Sequence, residues 1–107
     1  MKVKWSKHAH SQRMAIVRLI FREQTREIAS KWNRDIGETT RLLQPFPELG
    51  GEIPEECFWA LPTDYERLRQ TMCGPYRIVY EHVSDEIHVL AIMDSAMLIR
   101  NQDTYWN

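Results

Sequence analysis

No run of apolar residues in this 107-residue sequence is long enough to cross a bilayer, and no apolar h-region follows Lys2 and Lys4 at the N-terminus. Neither a membrane anchor nor a secretory signal is expected, and the chain should stay in the cytoplasm. Cysteine is scarce. Cys57 and Cys73 lie in different segments without metal-type spacing, so under reducing conditions both are expected as buried or half-buried thiols rather than as a disulfide or a metal site. Histidine offers no ligand set either: His8 and His10 fall in the first turn of a helix, while His82 and His88 flank a tight turn. Solvated or capping roles are expected for all four. The carboxylates lack the fixed spacing of a catalytic dyad, and the chain has no repeats or low-complexity tracts. No metal and no cofactor are expected.

What is present is an ordinary globule by composition, with 43% apolar and 27% charged residues and a length that supports one modest core. Residues 1–107 read as a single domain. The net charge is only −1, but it is unevenly spread. Residues 1–44 hold ten Lys/Arg against four Asp/Glu, residues 45–66 hold six acids and no Lys/Arg, and residues 67–107 hold four bases and five acids. Such a distribution fits a basic helical face beside an acidic loop, or solvated faces that balance for solubility.

Val3 and Trp5 alternate with Lys2 and Lys4 as in a short strand, and Ser6 can cap the helix that follows. Ala9, Met14, Ile16, Val17, Ile20 and Phe21 form an apolar stripe at helical spacing to about Arg22. After a turn at Glu23-Gln24-Thr25, Ile28, Trp32, Ile36, Thr39 and Leu43 recur every three to four residues, with Lys31, Arg34 and Arg41 off the apolar side. Pro45 and Pro47 stop this second helix. An irregular segment from about Gly51 to Asp64 carries Glu52, Glu55 and Glu56 around the apolar island Cys57-Phe58-Trp59, and is expected to place one or two aromatics on the core edge. Three strand-like runs follow, Glu66 to Cys73, Tyr76 to His82 and Glu86 to Met93, with turns at Gly74-Pro75 and Val83-Ser84-Asp85. The expected fold is α+β, with an N-terminal strand and a helical hairpin packed on a small antiparallel sheet in a two-layer sandwich.

The order of these segments carries a resemblance. A strand entering Trp5-Ser6, a helical hairpin, Phe46-Pro47-Glu48-Leu49-Gly50, then Tyr65-Glu66-Arg67-Leu68-Arg69 and Gly74-Pro75-Tyr76-Arg77-Ile78-Val79-Tyr80 come in sequence. The strand Ile87 to Met93 and a tail from Arg100 to Trp106 complete the series. Together they resemble the RelE/ParE superfamily of bacterial toxins from type II toxin-antitoxin modules, over nearly the whole chain. The resemblance implies a small toxin held inactive by a cognate antitoxin. Its targets fall into two classes, since RelE-like members cleave mRNA on the ribosome and ParE-like members poison DNA gyrase. In two places the chain departs from the pattern: Asp94 stands where many relatives have a histidine, and residues 94–99 look like an insertion. Both weigh against the ribonuclease branch.

Metal-free RNA cleavage needs a base for the 2′-hydroxyl, an acid for the leaving oxygen and donors for the phosphorane charge, a role that the planar fork of arginine fills well. The candidates for target contact or catalysis are Arg67, Arg69, Arg77, Arg100 and Tyr105. Arg77 matches the arginine of the family's Tyr-Arg-(Ile/Leu)-Val-Tyr motif, functional in the ribonuclease branch, and Tyr105 matches that branch's C-terminal tyrosine. Arg67 and Arg69, two apart on an expected strand, would point to one face. Alternation also sets Arg77, Val79 and Glu81 opposite Tyr76, Ile78 and Tyr80, so Arg77 is expected on an outer, exposed face where its removal costs little stability. Snorkelling surface arginines and a tail anchored by Tyr105 and Trp106 are the competing structural roles.

The long helical hairpin, the Phe46 to Gly50 junction and the near-neutral sheet half favour a ParE-like toxin acting on gyrase, since a ribosome-dependent nuclease works in a dense field of phosphate. The alternatives are a RelE-like, metal-independent mRNA endoribonuclease with ribosome and mRNA as partners, and a non-toxic binding domain with the same fold. An antitoxin is expected along the basic hairpin and the sheet edge.

Overall fold

A computed structural model describes residues 1–100. Strand β1 (Lys2–Trp5) leads into helices α1 (Lys7–Glu23) and α2 (Arg26–Arg41), and strands β2 (Gly51–Glu52), β3 (Arg69–Cys73), β4 (Tyr76–Val83) and β5 (Glu86–Asp94) follow. Ser6 fixes the first corner. Its hydroxyl accepts from the Ala9 N–H at 2.9 Å and donates to the Leu90 carbonyl at 3.2 Å, while its own N–H reaches the Val89 carbonyl at 3.0 Å. One fully buried side chain thus caps α1 and locks strand to sheet. Thr25 caps α2 by accepting from the Ile28 N–H at 3.1 Å, so a single residue, Gln24, separates the last residue of α1 from the next cap.

The sheet runs β1-β5-β4-β3-β2, with β1 parallel to β5 and every other pair antiparallel. The meander and the docking of the first strand follow the expected α+β plan. On the helical face Ile78, Tyr80, Ile87, Val89 and Ile92 pack with Ala9, Ile36 and Leu43. The opposite face is also dry. There Val79, Leu90, Ala91 and Met93 lie under Ile53, Phe58, Leu68 and Ile99. A bulge reconciles the two sets: Val79 pairs with Ala91 but Tyr80 pairs with Val89, which leaves Leu90 as an extra residue and restores the phase of β5. Burial on both faces explains why Val89 to Met93 reads as a continuous apolar run instead of an alternating one.

The cover on the outer face is irregular chain stitched to itself. Phe58 and Ile99 form a parallel bridge, with Trp59 N–H to Ile99 O at 2.7 Å and Ile99 N–H to Cys57 O at 2.8 Å. Phe58 is buried, which meets the expectation of one or two aromatics on the core edge, while Trp59, Glu52, Glu55 and Glu56 are exposed. Residues 94–99 are therefore a strap over the sheet. Two boundaries differ from the sequence-based expectation. The first of the three runs begins as a strand only at Arg69, because Tyr65–Arg67 forms a 3₁₀ turn, and the two-residue β2 carries no periodicity from which it could be read. Cys57 and Cys73 are free thiols, half-buried and buried.

The Phe46 to Gly50 junction closes around Tyr80. The phenol is fully buried, donates to the Pro47 carbonyl at 2.8 Å and accepts from the Gly50 N–H at 3.1 Å. Arg69 adds contacts from its Nη2 to the Glu48 carbonyl at 3.3 Å and to the Gly50 carbonyl, and from its Nη1 to the Glu48 carboxylate at 3.4 Å. A Cβ at Gly50 would lie 2.3 Å from the Gln70 carbonyl and 2.7 Å from the Tyr80 hydroxyl, so no larger residue fits. Tyr80→Phe removes a donor and an acceptor that two backbone groups use, and it should cost about 1–3 kcal/mol in urea unfolding. Gly50→Ala should cost at least as much. Midpoints within experimental error of the parent would show that this junction is not held by the phenol.

Candidate functional site

The structure disperses the residues nominated from the sequence. Arg77 does point to the outer face, but it is 7% exposed, not solvated. Its Nε donates to Gln70 Oε1 at 2.8 Å, its Nη1 to the Met97 carbonyl at 3.0 Å, and its Nη2 to the Ser95 carbonyl at 3.3 Å, with Cys57 Sγ at 3.5 Å. The expectation of an exposed arginine is corrected here. Strand alternation set the direction of the side chain, and the strap of residues 94–99 then folded across it.

Arg67 and Arg69 do not share a face, because only Arg69 lies on the strand. Arg67 is exposed and bridges Asp64 at 2.8 Å and Glu81 at 3.0 Å, whereas Arg69 turns to the Phe46 to Gly50 junction. Arg100 lies over the ring of Trp59, 4.9 Å from its centroid, and Trp59 is 65% exposed. Tyr105 lies outside the described residues. The four described arginines thus occupy four settings.

Sequence reading missed a polar row across the outer face at the far end of the strands. Register aligns Lys4, His88 and Glu81 across three neighbouring strands. Lys4 Nζ meets Glu86 Oε2 at 3.0 Å, His88 Nε2 meets Glu86 Oε1 at 3.1 Å, and His88 Nδ1 lies 3.8 Å from Glu81 Oε1. Glu81 is buried, and Arg67 Nε approaches its other oxygen as an ion pair without hydrogen-bond alignment. The signal was the spacing itself, since Glu81 and His88 both fall on the polar phase of their strands. A carboxylate and an imidazole can move protons beside a guanidinium that holds charge, but here each is committed to a neighbour. The row is a continuous ladder of polar contacts, ion-paired at Lys4–Glu86, Arg67–Asp64 and Arg67–Glu81, that ties the 61–68 segment to β1.

Several clefts remain among the described residues. One on the outer face, lined by Glu52, Ile53, Tyr65, Glu66 and Leu68, is acidic. There Tyr65 donates to Glu55 Oε1 at 2.9 Å, and this bond, followed by the charge of Glu55, raises the phenol above its usual pKa. A second lies between β1 and the hairpin, lined by Val3, Trp5, Arg13, Gly37, Thr40, Arg41 and Gln44. A third, beside α2, is bounded by Leu42 and Pro45, with Phe46 exposed nearby in sequence. Among the described residues no three His, Cys, Asp or Glu side chains converge in a metal-binding arrangement, and no helix is long and apolar enough to cross a membrane.

The Glu86 carboxyl is held below its ordinary value of 4.5, first by the hydrogen bond from His88 and then by Lys4. A depressed folded pKa means that this carboxylate stabilises the fold above pH 4.5 and ceases to do so as pH falls through the folded value. Glu86→Gln should therefore flatten the loss of stability between about pH 7 and about pH 3, measured as unfolding midpoints. Parallel curves for parent and variant would remove Glu86 from the acid transition.

Residues 3–99 match the family model described as the ParE toxin of type II toxin-antitoxin systems, parDE. Among solved structures, the chain is similar to one from the chromosomal ParDE TA system of P. aeruginosa, at 25% identity and a TM-score of 0.70, covering 88% of this chain and 95% of that one. No curated protein sequence matches. The family match runs from within β1 through both helices, the other four strands and the strap, and with it the chain belongs to the ParE toxin family of type II toxin-antitoxin systems.

Proposed function

We propose that this chain arrests growth by acting on DNA gyrase in the cytoplasm and is neutralised by a cognate antitoxin. The observation that carries the choice of target is the state of Arg77. In a nuclease reading this guanidinium must meet a scissile phosphate, yet here it is buried and donates to Gln70 and to two strap carbonyls. The remaining outer cleft presents Glu52 and Glu66, which repel a phosphate backbone. A protein target is served better by exposed side chains than by a catalytic cleft. Arg67, Arg100 and the aromatic Trp59 supply them, while Arg69 and Arg77 hold the surface that presents them.

Purified protein incubated with gyrase and supercoiled plasmid should accumulate cleaved DNA, and expression should trigger the DNA-damage response and filamentation before translation falls. Codon-positioned mRNA cuts with intact gyrase activity would transfer the chain to the ribonuclease branch. Arg77→Ala should destabilise the fold by about 2 kcal/mol, because it leaves strap carbonyls and Gln70 without their charged donor. Arg77→Lys should not restore it, since one ammonium cannot span the same acceptors. A variant that keeps the parent's unfolding midpoint and loses toxicity would instead return Arg77 to direct target contact.

A further inference from the structure

We propose that the cleft between β1 and the helical hairpin is an anion site that takes a carboxylate side chain of the antitoxin, with Arg13 as its anchor and Arg41 as its second cation. The inference rests on the neutralisation reading above. Arg13 is built into position. Its Nε donates to Asn33 Oδ1 at 2.9 Å, its Nη2 to the Asn33 carbonyl at 2.8 Å, and its guanidinium lies 4.8 Å from the centroid of the Trp5 ring.

Those partners are a neutral amide, a carbonyl and an aromatic face, and none of them balances the charge. Elsewhere Lys4 has Glu86, Lys31 has Asp35, Arg67 has Asp64 and Glu81, and Arg69 has Glu48. Among the described residues no carboxylate lies within ion-pair distance of Arg13 or Arg41. A half-buried cation without a counter-ion is costly, and burial accordingly lowers the Arg13 pKa from the usual guanidinium value.

The helix has made room for this arrangement. Gly37 sits inside α2, where glycine is less favourable than alanine, and a Cβ there would stand 3.1 Å from Arg13 Nη2. Thr40, Gln44 and Arg41 follow on the same wall, and Val3 and Trp5 form the other. At about 250 Å³ the cleft has room for one carboxylate-bearing side chain. A guanidinium already oriented by Asn33 and Trp5 loses little freedom on pairing with a planar carboxylate. The surrounding ten bases and four acids of residues 1–44 would draw in an acidic segment.

The test uses the intact toxin and the protein encoded by the adjoining reading frame. Affinity is measured by calorimetry at low and high salt, with each antitoxin Asp and Glu replaced in turn by the amide. Arg13→Gln should weaken the complex by at least about tenfold, and one antitoxin acid should show the same loss without adding to it in a double-mutant cycle. Arg41→Gln, at an exposed position, should weaken binding without lowering the unfolding midpoint, so misfolding cannot mimic the result. Full affinity in both variants, or additivity for every acid, would overturn the site while leaving neutralisation intact. Loss of affinity for a DNA duplex with antitoxin binding unchanged would reassign the cleft to nucleic acid. Absence of any complex with the parent toxin would instead bring down the neutralisation reading, and this inference with it.

Discussion

The constraint on which this fold depends is that both faces of β4 and β5 are dry. Two helices can cover only one side of a sheet, and the second face, with Val79, Leu90, Ala91 and Met93, has no helix to meet it. The chain solves this with irregular backbone, which must satisfy its own polar groups. It does so by pairing Phe58 with Ile99 and by sending the Arg77 guanidinium to strap carbonyls. The buried charge and the absence of secondary structure over it are two sides of one arrangement: a strand cover would bond its carbonyls to a neighbour, whereas the strap needs a multivalent donor from below.

The same logic changes the meaning of the motifs. Phe46 to Gly50 and the Tyr76 to Tyr80 strand are separated by a long loop in sequence, but the Tyr80 phenol joins them by bonding Pro47 and Gly50. Arg69 closes the junction from the next strand. These residues read as a fingerprint because they interlock, and their interlocking is structural. A motif that identifies a fold by its joints says less about chemistry than one that marks a cleft. The dispersal of Arg67, Arg69, Arg77 and Arg100 into separate settings has this cause.

What was legible in the sequence was whatever depends on local periodicity and caps. Ser6 announces the first helix, Glu23-Gln24-Thr25 marks the turn, Pro45 ends the second helix, and the alternation of Tyr76 to Glu81 assigns each side chain to the right face. Exposure was not legible, because it depends on what the distant chain lays over that face. Arg77 was assigned the correct direction and the wrong environment, and the Glu81–His88 pair passed as separate polar residues until the β4–β5 register set them opposite each other. The bulge at Leu90 was hidden for a related reason: in a strand buried on both faces, an extra apolar residue leaves no break in the pattern. The cleft around Arg13 needed three elements to meet.

The charge asymmetry of the sequence acquires a spatial meaning in this arrangement. The acids of residues 45–66 sit on the outer cover, and the bases of residues 1–44 sit mostly on the hairpin of the opposite layer, so the two signs are separated by the thickness of the sheet. At physiological salt the screening length is about 8 Å, shorter than the diameter of a helix alone, about 10–12 Å with its side chains. Each layer therefore presents its own field, and the near-zero net charge describes neither. A partner approaching the hairpin meets a basic surface, and one approaching the cover meets an acidic rim around exposed Trp59. Two partners of different charge can address such a molecule on opposite sides.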